Sequence, residues 1–450
     1  MNGHIKNKLN ISRIISAVLS VIIFLACFVS CSDKTDPEGK PELKPNDSDL
    51  LARVIMTNDV QFGDIEGLSE IMLRRMFSEA YQYSNKIDAF IFDGDITKNG
   101  TRKQFSDFIK LAKAGIIGET KLIVTFGSGD YDDVFFTPER INDEFSELVG
   151  NTDTVINGIH FIGVSSEDPY GYEYDTEWLS EHLEKAYSEN PEAPIITFQH
   201  YPVSGTVFKD YNVGTPVLTE IYNKYPNIIN FTGHNNFPVT HPLNIDQSVY
   251  TSIGLGSVGS YINFPDSIEV GTQNNVLQRS DAHDFVIVEV YADNSTLVTP
   301  YCIDAKSVYY TSDGDILRYT VSKPGDPASY EYTYEKIKER DKEAPVFSED
   351  AVVSIDKIYA NTCAVSFSAA QDDTLVNYYE LQIIDPNGDK LVSKAYVRNL
   401  YWVTPMSESH SRSLSGMDQN VYYILKIYAY DFSGNRSEPL SIEYQHISTY

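Results

Sequence analysis

Residues 53–61 read RVIMTNDVQ and residues 89–95 read AFIFDGD. Each is a short apolar run that breaks off at a carboxylate. The pattern returns as KLIVTFGSGD over 121–130, PIITFQHYP over 194–202 and IINFTGHNN over 228–236. Short apolar runs bounded by Gly, Asn, Asp and Pro mark buried strands. Five blocks therefore fall at predicted strand ends: Asn58-Asp59-Val60-Gln61, Asp93-Gly94-Asp95, Gly127-Ser128-Gly129-Asp130, Gln199-His200-Tyr201-Pro202 and Gly233-His234-Asn235-Asn236.

Amphipathic helices separate the runs. Gly67 to Tyr83 places Leu68, Ile71, Met72, Met76 and Ala80 along one side, and Arg102 to Ala114 does the same with Phe105, Phe108, Ile109 and Ala112. Thr176 to Tyr187 follows suit with Trp178, Leu179, Leu183 and Ala186, which we read as packing. Such βαβ alternation predicts a sheet that is largely parallel at first, with helices outside. In such a sheet the loops at the carboxyl ends of the strands converge on one crevice. Topology alone thus groups the five blocks. Carboxylates and imidazoles that meet there are natural ligands for a divalent metal. After Gln247 the helices stop, and Val249 to Ile253 and Phe285 to Tyr291 read as strands closing an α/β domain near residue 320.

In order and spacing the blocks resemble the motif series of the calcineurin-like metallophosphoesterases: D-x-H, G-D, G-N-H-D/E, a lone His, and G-H-x-H. The fit runs from about Val54 to Val290. It implies a four-layer-like α/β sandwich over 51–320 and hydrolysis of a phosphoester by a water activated on metal. Carried over by position, Asp59 matches the first Asp ligand, Asp95 the Asp that bridges two metals, His200 the lone His and His234 the first His of G-H-x-H. Asp59, Asp95 and His200 would be the catalytic residues; these three and His234 would hold metal. Four positions depart from the pattern. Gln61 and Asn236 replace histidines, Ser128 replaces the Asn ligand, and Gly129 replaces the His that protonates the leaving group.

The departures are uneven. One metal position would be left with Asp59, Gln61, Asp95 and Asn236, where amides are poor ligands for zinc or iron. The other keeps Asp95, His200 and His234 beside Ser128, and three such ligands suffice for a mononuclear site. The resemblance therefore implies one divalent ion of unknown identity rather than two, or none. Loss of the proton donor costs roughly 10²–10⁴-fold in rate. Two outcomes stay open: a phosphoesterase with a reduced metal site, or a catalytically inactive relative serving as a surface binding or scaffold module. A lone Asp or His is more often a turn or core residue; only the ordered set lifts these above that. Asp93 reads as a turn cap, Asp132 and Asp133 as solvated, and Tyr170, Tyr172 and Tyr174 as a surface loop.

The rest of the chain sets the context. Its 450 residues carry 64 acidic and 35 basic side chains, a net charge of −29. That argues against nucleic acid as a partner, because phosphate binding needs basic patches. Lys6, Lys8 and Arg13 precede an apolar run from Ile14 to Val29 that ends in Phe28-Val29-Ser30-Cys31. This has the shape of an export signal over 1–30. It resembles a bacterial lipobox, which implies a lipid on Cys31, anchorage to a membrane and a place in the cell envelope, at the outer membrane or cell surface. Residues 31–50, polar and carrying three prolines, read as a flexible tether. Cys302 and Cys363 lie far apart and suggest no disulfide. Residues 321–345 read as a linker. Over 346–445 the apolar residues alternate, as in Tyr379-Leu381-Ile383 and Tyr423-Leu425-Ile427, which predicts an all-β sandwich. Its end, Asp431-Phe432-Ser433-Gly434-Asn435, resembles a fibronectin type III-like domain with Tyr423 as corner tyrosine. A glycan or protein would be its partner.

Overall fold

The computed structural model describes residues 41–63, 67–131, 149–208, 214–259, 283–311, 314–388, 390–399 and 406–448. The export signal, Cys31, most of the tether, Asp132 and Asp133 lie outside the described residues. In chain order the first body runs β1 (Leu50–Thr57), α1 (Leu68–Tyr83), β2 (Ala89–Asp93), α2 (Arg102–Gly115), β3 (Lys121–Thr125), β4 (Thr152–Ile156), β5 (Ile159–Gly163), α3 (Thr176–Glu189), β6 (Ile195–Gln199), α4 (Thr219–Tyr222), β7 (Ile228–Thr232), β8 (Ile245–Gln247), β9 (Thr251–Gly254), β10 (Asp284–Tyr291), β11 (Thr296–Cys302), β12 (Ser307–Val308) and β13 (Tyr319–Val321).

These strands form two mixed sheets. One has the order β12-β11-β10-β1-β2-β3 with β13 beside β11; the other has the order β4-β5-β6-β7-β9-β8. The parallel core of each, β1-β2-β3 and β5-β6-β7-β9, is what the alternation predicted. The period of two then sorts side chains to opposite faces. Ile55, Phe90, Phe92 and Val124 pack against Met76 and Phe77 of α1 and Phe105 and Phe108 of α2. Their neighbours Val54, Met56, Ile91 and Ile123 share a core with Phe161, Ile196, Phe198, Phe231 and Ile253 of the second sheet. Behind that sheet, Ile162, Val164, Ile195 and Ile228 meet Leu179, Leu183 and Ala186 of α3. The strand read from Val249 starts two residues later, because Val249 is exposed in the preceding turn.

The segment after β13 is better built than a linker. Tyr330 is buried, and Gln247 Oε1 accepts the backbone N–H groups of Glu331 at 2.8 Å and Tyr332 at 2.9 Å. Thr333 then caps α5 (Tyr334–Arg340) through its hydroxyl. The far end of the expected tether also docks. Leu43 packs on the first core, Leu50 begins β1, and Asp47 meets Arg53 at 2.9 Å and Lys86 at 2.6 Å.

The C-terminal strands β14 (Val353–Ile358), β15 (Thr362–Ser368), β16 (Val376–Ile384), β17 (Leu391–Arg398), β18 (Ser409–Ser415), β19 (Tyr422–Asp431) and β20 (Leu440–Gln445) make separate all-β sheets. Their orders are β14-β15-β18 and β17-β16-β19-β20, antiparallel throughout. Val365 and Phe367 of one sheet share a core with Leu381, Ile383, Leu425 and Ile427 of the other. The Tyr423 hydroxyl accepts the Asp418 N–H at 2.9 Å, five residues upstream.

Candidate metal centre

The five blocks do meet beyond the carboxyl ends of β1, β2, β3, β6 and β7. Backbone bonds tie them together: Asp59 N–H to Gly94 O at 3.1 Å, Gln61 N–H to Asp95 O at 2.9 Å and Gly233 N–H to His200 O at 2.9 Å. Asp59, Gln61, Asp95, His234 and Asn236 all have positive φ, between 46° and 65°. They make up five of the eleven such non-glycine residues among those described. Left-handed backbone costs roughly 1–3 kcal/mol per side chain and concentrates at functional sites.

Asp95, His200 and His234 form a cluster, one ligand atom of each lying within 4.8 Å of the others. His200 is fully buried. Its Nδ1 stands 2.8 Å from the Asp93 carbonyl oxygen, which only accepts, so Nδ1 carries the hydrogen. That fixes Nε2 as the nitrogen turned to the cleft, 3.2 Å from Asp95 Oδ1 at an angle that makes no hydrogen bond. A histidine oriented by a carbonyl through its other nitrogen is the usual arrangement behind a metal. Asp95 is itself held by Gly129 N–H at 2.7 Å and by the Ser128 hydroxyl at 3.0 and 3.1 Å. Gly127 is glycine for want of space: a Cβ there would sit 2.4 Å from Asp95 Oδ1 and 2.6 Å from His200 Cδ2.

The electrostatics follow the packing. Burial opposes a charge on His200, yet Asp95, then Asp59 and Asp93, push the imidazole up to about 10. Burial raises Asp95, but the His200 charge outweighs it and holds the carboxyl well below the ordinary range. His234 moves the other way, down to about 4, through burial and the His200 charge. Asp59 is raised to about 7, chiefly by burial, with His200 opposing and Asp95 assisting.

Gln61 has its amide oxygen bound by Lys98 Nζ at 2.8 Å. Asn236 donates to the His234 carbonyl, and its Oδ1 is buried without a partner. Asp59 keeps one oxygen on Asn58 and on His234 N–H at 3.2 Å, while its Oδ1 has no partner. Gly129 presents no side chain to the crevice, and a Cβ there would stand 2.9 Å from the Thr97 carbonyl oxygen.

Some contributors were not singled out from sequence. Asp93 is more than a turn cap: fully buried, it accepts from Thr125 Oγ1 at 2.7 Å and lends its carbonyl to His200. Asp130 accepts the N–H groups of Gly127, Ile96 and Thr97 and so fixes the second and third blocks to each other. Tyr201 lays its ring 4.3 Å from that of His234. Tyr170 and Tyr172 are exposed, whereas Tyr174 belongs to the α3 core.

No family model matches the chain, and no curated protein matches it. Among solved structures it is similar to a purple acid phosphatase from yellow lupin (Lupinus luteus) seeds, with 14% identity and a TM-score of 0.40 over 64% of this chain. The chain spans about half, 55%, of that phosphatase's length. It is also similar to a redesigned β-sandwich protein (15% identity, TM-score 0.18, 24% of this chain and 95% of that one). The twitchin kinase region of C. elegans is a further match (17% identity, TM-score 0.18, 24% and 17%). Likeness at this level says nothing of activity.

Proposed function

We propose that this chain is a metallophosphoesterase-type hydrolase with a single divalent-metal site, held by Asp95, His200 and His234. The observation that carries the reading is the Asp95–His200–His234 cluster, with His200 oriented by the Asp93 carbonyl so that Nε2 faces the cleft. One carboxylate and two imidazoles, one of them pre-oriented, are a donor set that fits such an ion. A cation there would supply Lewis acidity, polarising a phosphoester and acidifying a water. Asp59 offers an unpartnered oxygen that would orient such a water or hold a second ion weakly. Ser128 and the Gly129 amide keep Asp95 in place. With no side chain at Gly129, a leaving group that departs without protonation is the fitting substrate.

The same proposal places the helices and sheets of the first body in a four-layer metallophosphoesterase-like stack, followed by a fibronectin type III-like sandwich. Export and lipid attachment at Cys31 belong to it on the strength of residues 1–31 alone. A second reading, an inactive cleft kept as a surface binding or scaffold module, is favoured by Lys98 occupying the Gln61 amide and by the bare Gly129. The two readings part on one measurement. Near-stoichiometric metal, lost in Asp95→Asn, together with turnover of phosphomonoesters or phosphodiesters, supports the enzyme. A metal-free protein, inert with manganese, zinc, iron, magnesium and calcium, overturns it.

A further inference from the structure

A second group of carboxylates lies far from the cleft in sequence. Asp341 follows α5, Asp372 sits between β15 and β16, and Asp431 ends β19. One carboxylate oxygen of each lies within 4.8 Å of the other two. Unlike a solvated acidic patch, the group is enclosed: Asp341 is 5% exposed and Asp431 is 2% exposed. No lysine, arginine or histidine among the described residues pairs with any of them.

Asp431 and Asp372 divide their oxygens in the same way. Asp431 Oδ1 accepts the N–H groups of Ser433 and Asn435, both at 2.8 Å, while its Oδ2 is buried without a partner. Asp372 Oδ2 accepts from the Thr374 N–H at 3.1 Å and hydroxyl at 2.8 Å, while its Oδ1 is buried without a partner. Asp341 Oδ1 too is buried and unpartnered, and burial and then the neighbouring Asp431 raise its carboxyl above the ordinary range. Three buried oxygens without donors, on carboxylates already fixed in orientation, are costly unless something positive meets them. An all-oxygen donor set selects a hard cation, and a loose assembly from three separate stretches of chain suits calcium better than the rigid octahedron magnesium demands.

We propose that Asp341, Asp372 and Asp431 bind one calcium ion that pins the segment after the first body to the C-terminal sandwich. The consequence reaches the first body. The loop that Asp431 organises carries Phe432, whose ring lies 4.7 Å from that of His241, and Asn435 Nδ2 donates to the Asp341 carbonyl at 3.3 Å. Calcium thus fixes the loop through which the sandwich touches the chain just beyond the His234 block. This site is independent of the cleft and of any activity there.

The test uses the whole chain carrying Asp95→Asn, so that the cleft does not contribute, stripped with chelator and titrated with calcium chloride by calorimetry. One calcium per chain is expected, with a dissociation constant below about 1 mM. A higher melting temperature and slower hydrogen exchange over residues 431–437 should accompany it. Adding Asp431→Asn keeps an acceptor oxygen for the Ser433 and Asn435 amides, so the loop survives while the charge goes. Calcium affinity should fall roughly tenfold or more, and the calcium-induced stabilisation should vanish. If that variant misfolds, Asp372→Asn gives the same readout from a half-buried position. Absence of saturable binding up to 1 mM, roughly the weak limit for protein calcium sites, overturns the proposal. So does calcium binding unchanged in the Asp→Asn variants.

Discussion

In the metal-free protein, replacing Asp95 by Asn should discharge His200. Asn is a close substitute: its Oδ1 still accepts the Gly129 amide, and its NH₂ faces the Ser128 oxygen. What it removes is the nearest negative charge, 3.2 Å from His200 Nε2. The wild-type imidazole titrates at about 10 against an ordinary 6.5, with burial working against the charge and Asp95 the leading cause in its favour. A span of about 3.5 pH units, at ~1.4 kcal/mol each, is about 5 kcal/mol of preference for the imidazolium. Most of it should go with Asp95, leaving the weaker fields of Asp59 and Asp93 against the full burial cost. The sign is fixed by linkage. A raised histidine stabilises the fold fully below pH 6.5 and loses that contribution as pH climbs through 10. The assay is long-range ¹H–¹⁵N correlation of the histidine rings at pH 8 in chelator. Wild-type His200 should show both ring nitrogens protonated; Asp95→Asn should show the neutral Nδ1–H form. A neutral wild-type ring, or a variant ring still charged at pH 8, would refute the reasoning. The corollary is that metal loading of the wild type releases a proton at neutral pH, measurable by calorimetry in buffers of different ionisation enthalpy.

Other perturbations separate fold from site. Arg53 is fully buried on Glu289 at 2.7 Å, with further bonds to Asp47, Ser84 and Lys86, so Arg53→Met should cost about 3–5 kcal/mol in urea unfolding. Adding Glu289→Gln should recover part of it by removing the stranded charge. The joint repair Gln61→His with Asn236→His should raise metal content towards two ions per chain by elemental analysis, since histidine tolerates positive φ better than most residues. Unchanged content would show that the first position is lost for other reasons. His241 is depressed to about 3 by burial and then by the Arg398 charge, so it contributes stability that is lost as pH falls from 6.5 towards 3. In His241→Asn, which keeps an acceptor for the Leu243 N–H, the slope of stability against pH over that window should flatten by about one proton.

The parallel strands were legible because buried strands bounded by turn residues leave little else to be. Lys121–Thr125 is the clearest case, the strand filling the apolar run that opens KLIVTFGSGD. The convergence of Asp95, His200 and His234 was legible for the same reason, since strand order dictates it. The uses of Gln61, Asp93 and Asp130 were not. Each depends on which backbone amide, carbonyl or ammonium group lies across the crevice, and strand periodicity carries no information about that. Helix α5 was hidden by its charges: a run of Glu, Lys and Arg reads as solvated linker, and only tertiary contacts at Tyr330 and Gln247 show that it is seated. The carboxylates of Asp341, Asp372 and Asp431 were invisible for a plainer reason, being 31 and 59 positions apart along the chain.

The docking of Asp47 on Arg53 and Lys86 bears on how the molecule withstands force. Strand β1 is not at an edge: β10 and β2 bond it on both sides. A pull on the chain ahead of Leu43 would load the packing of Leu43 and the ion pairs of Asp47, and then a strand whose ladders must shear together along its length rather than unzip one rung at a time. Load entering from that end is thus spread across the same sheet whose strand β2 leads into Asp95.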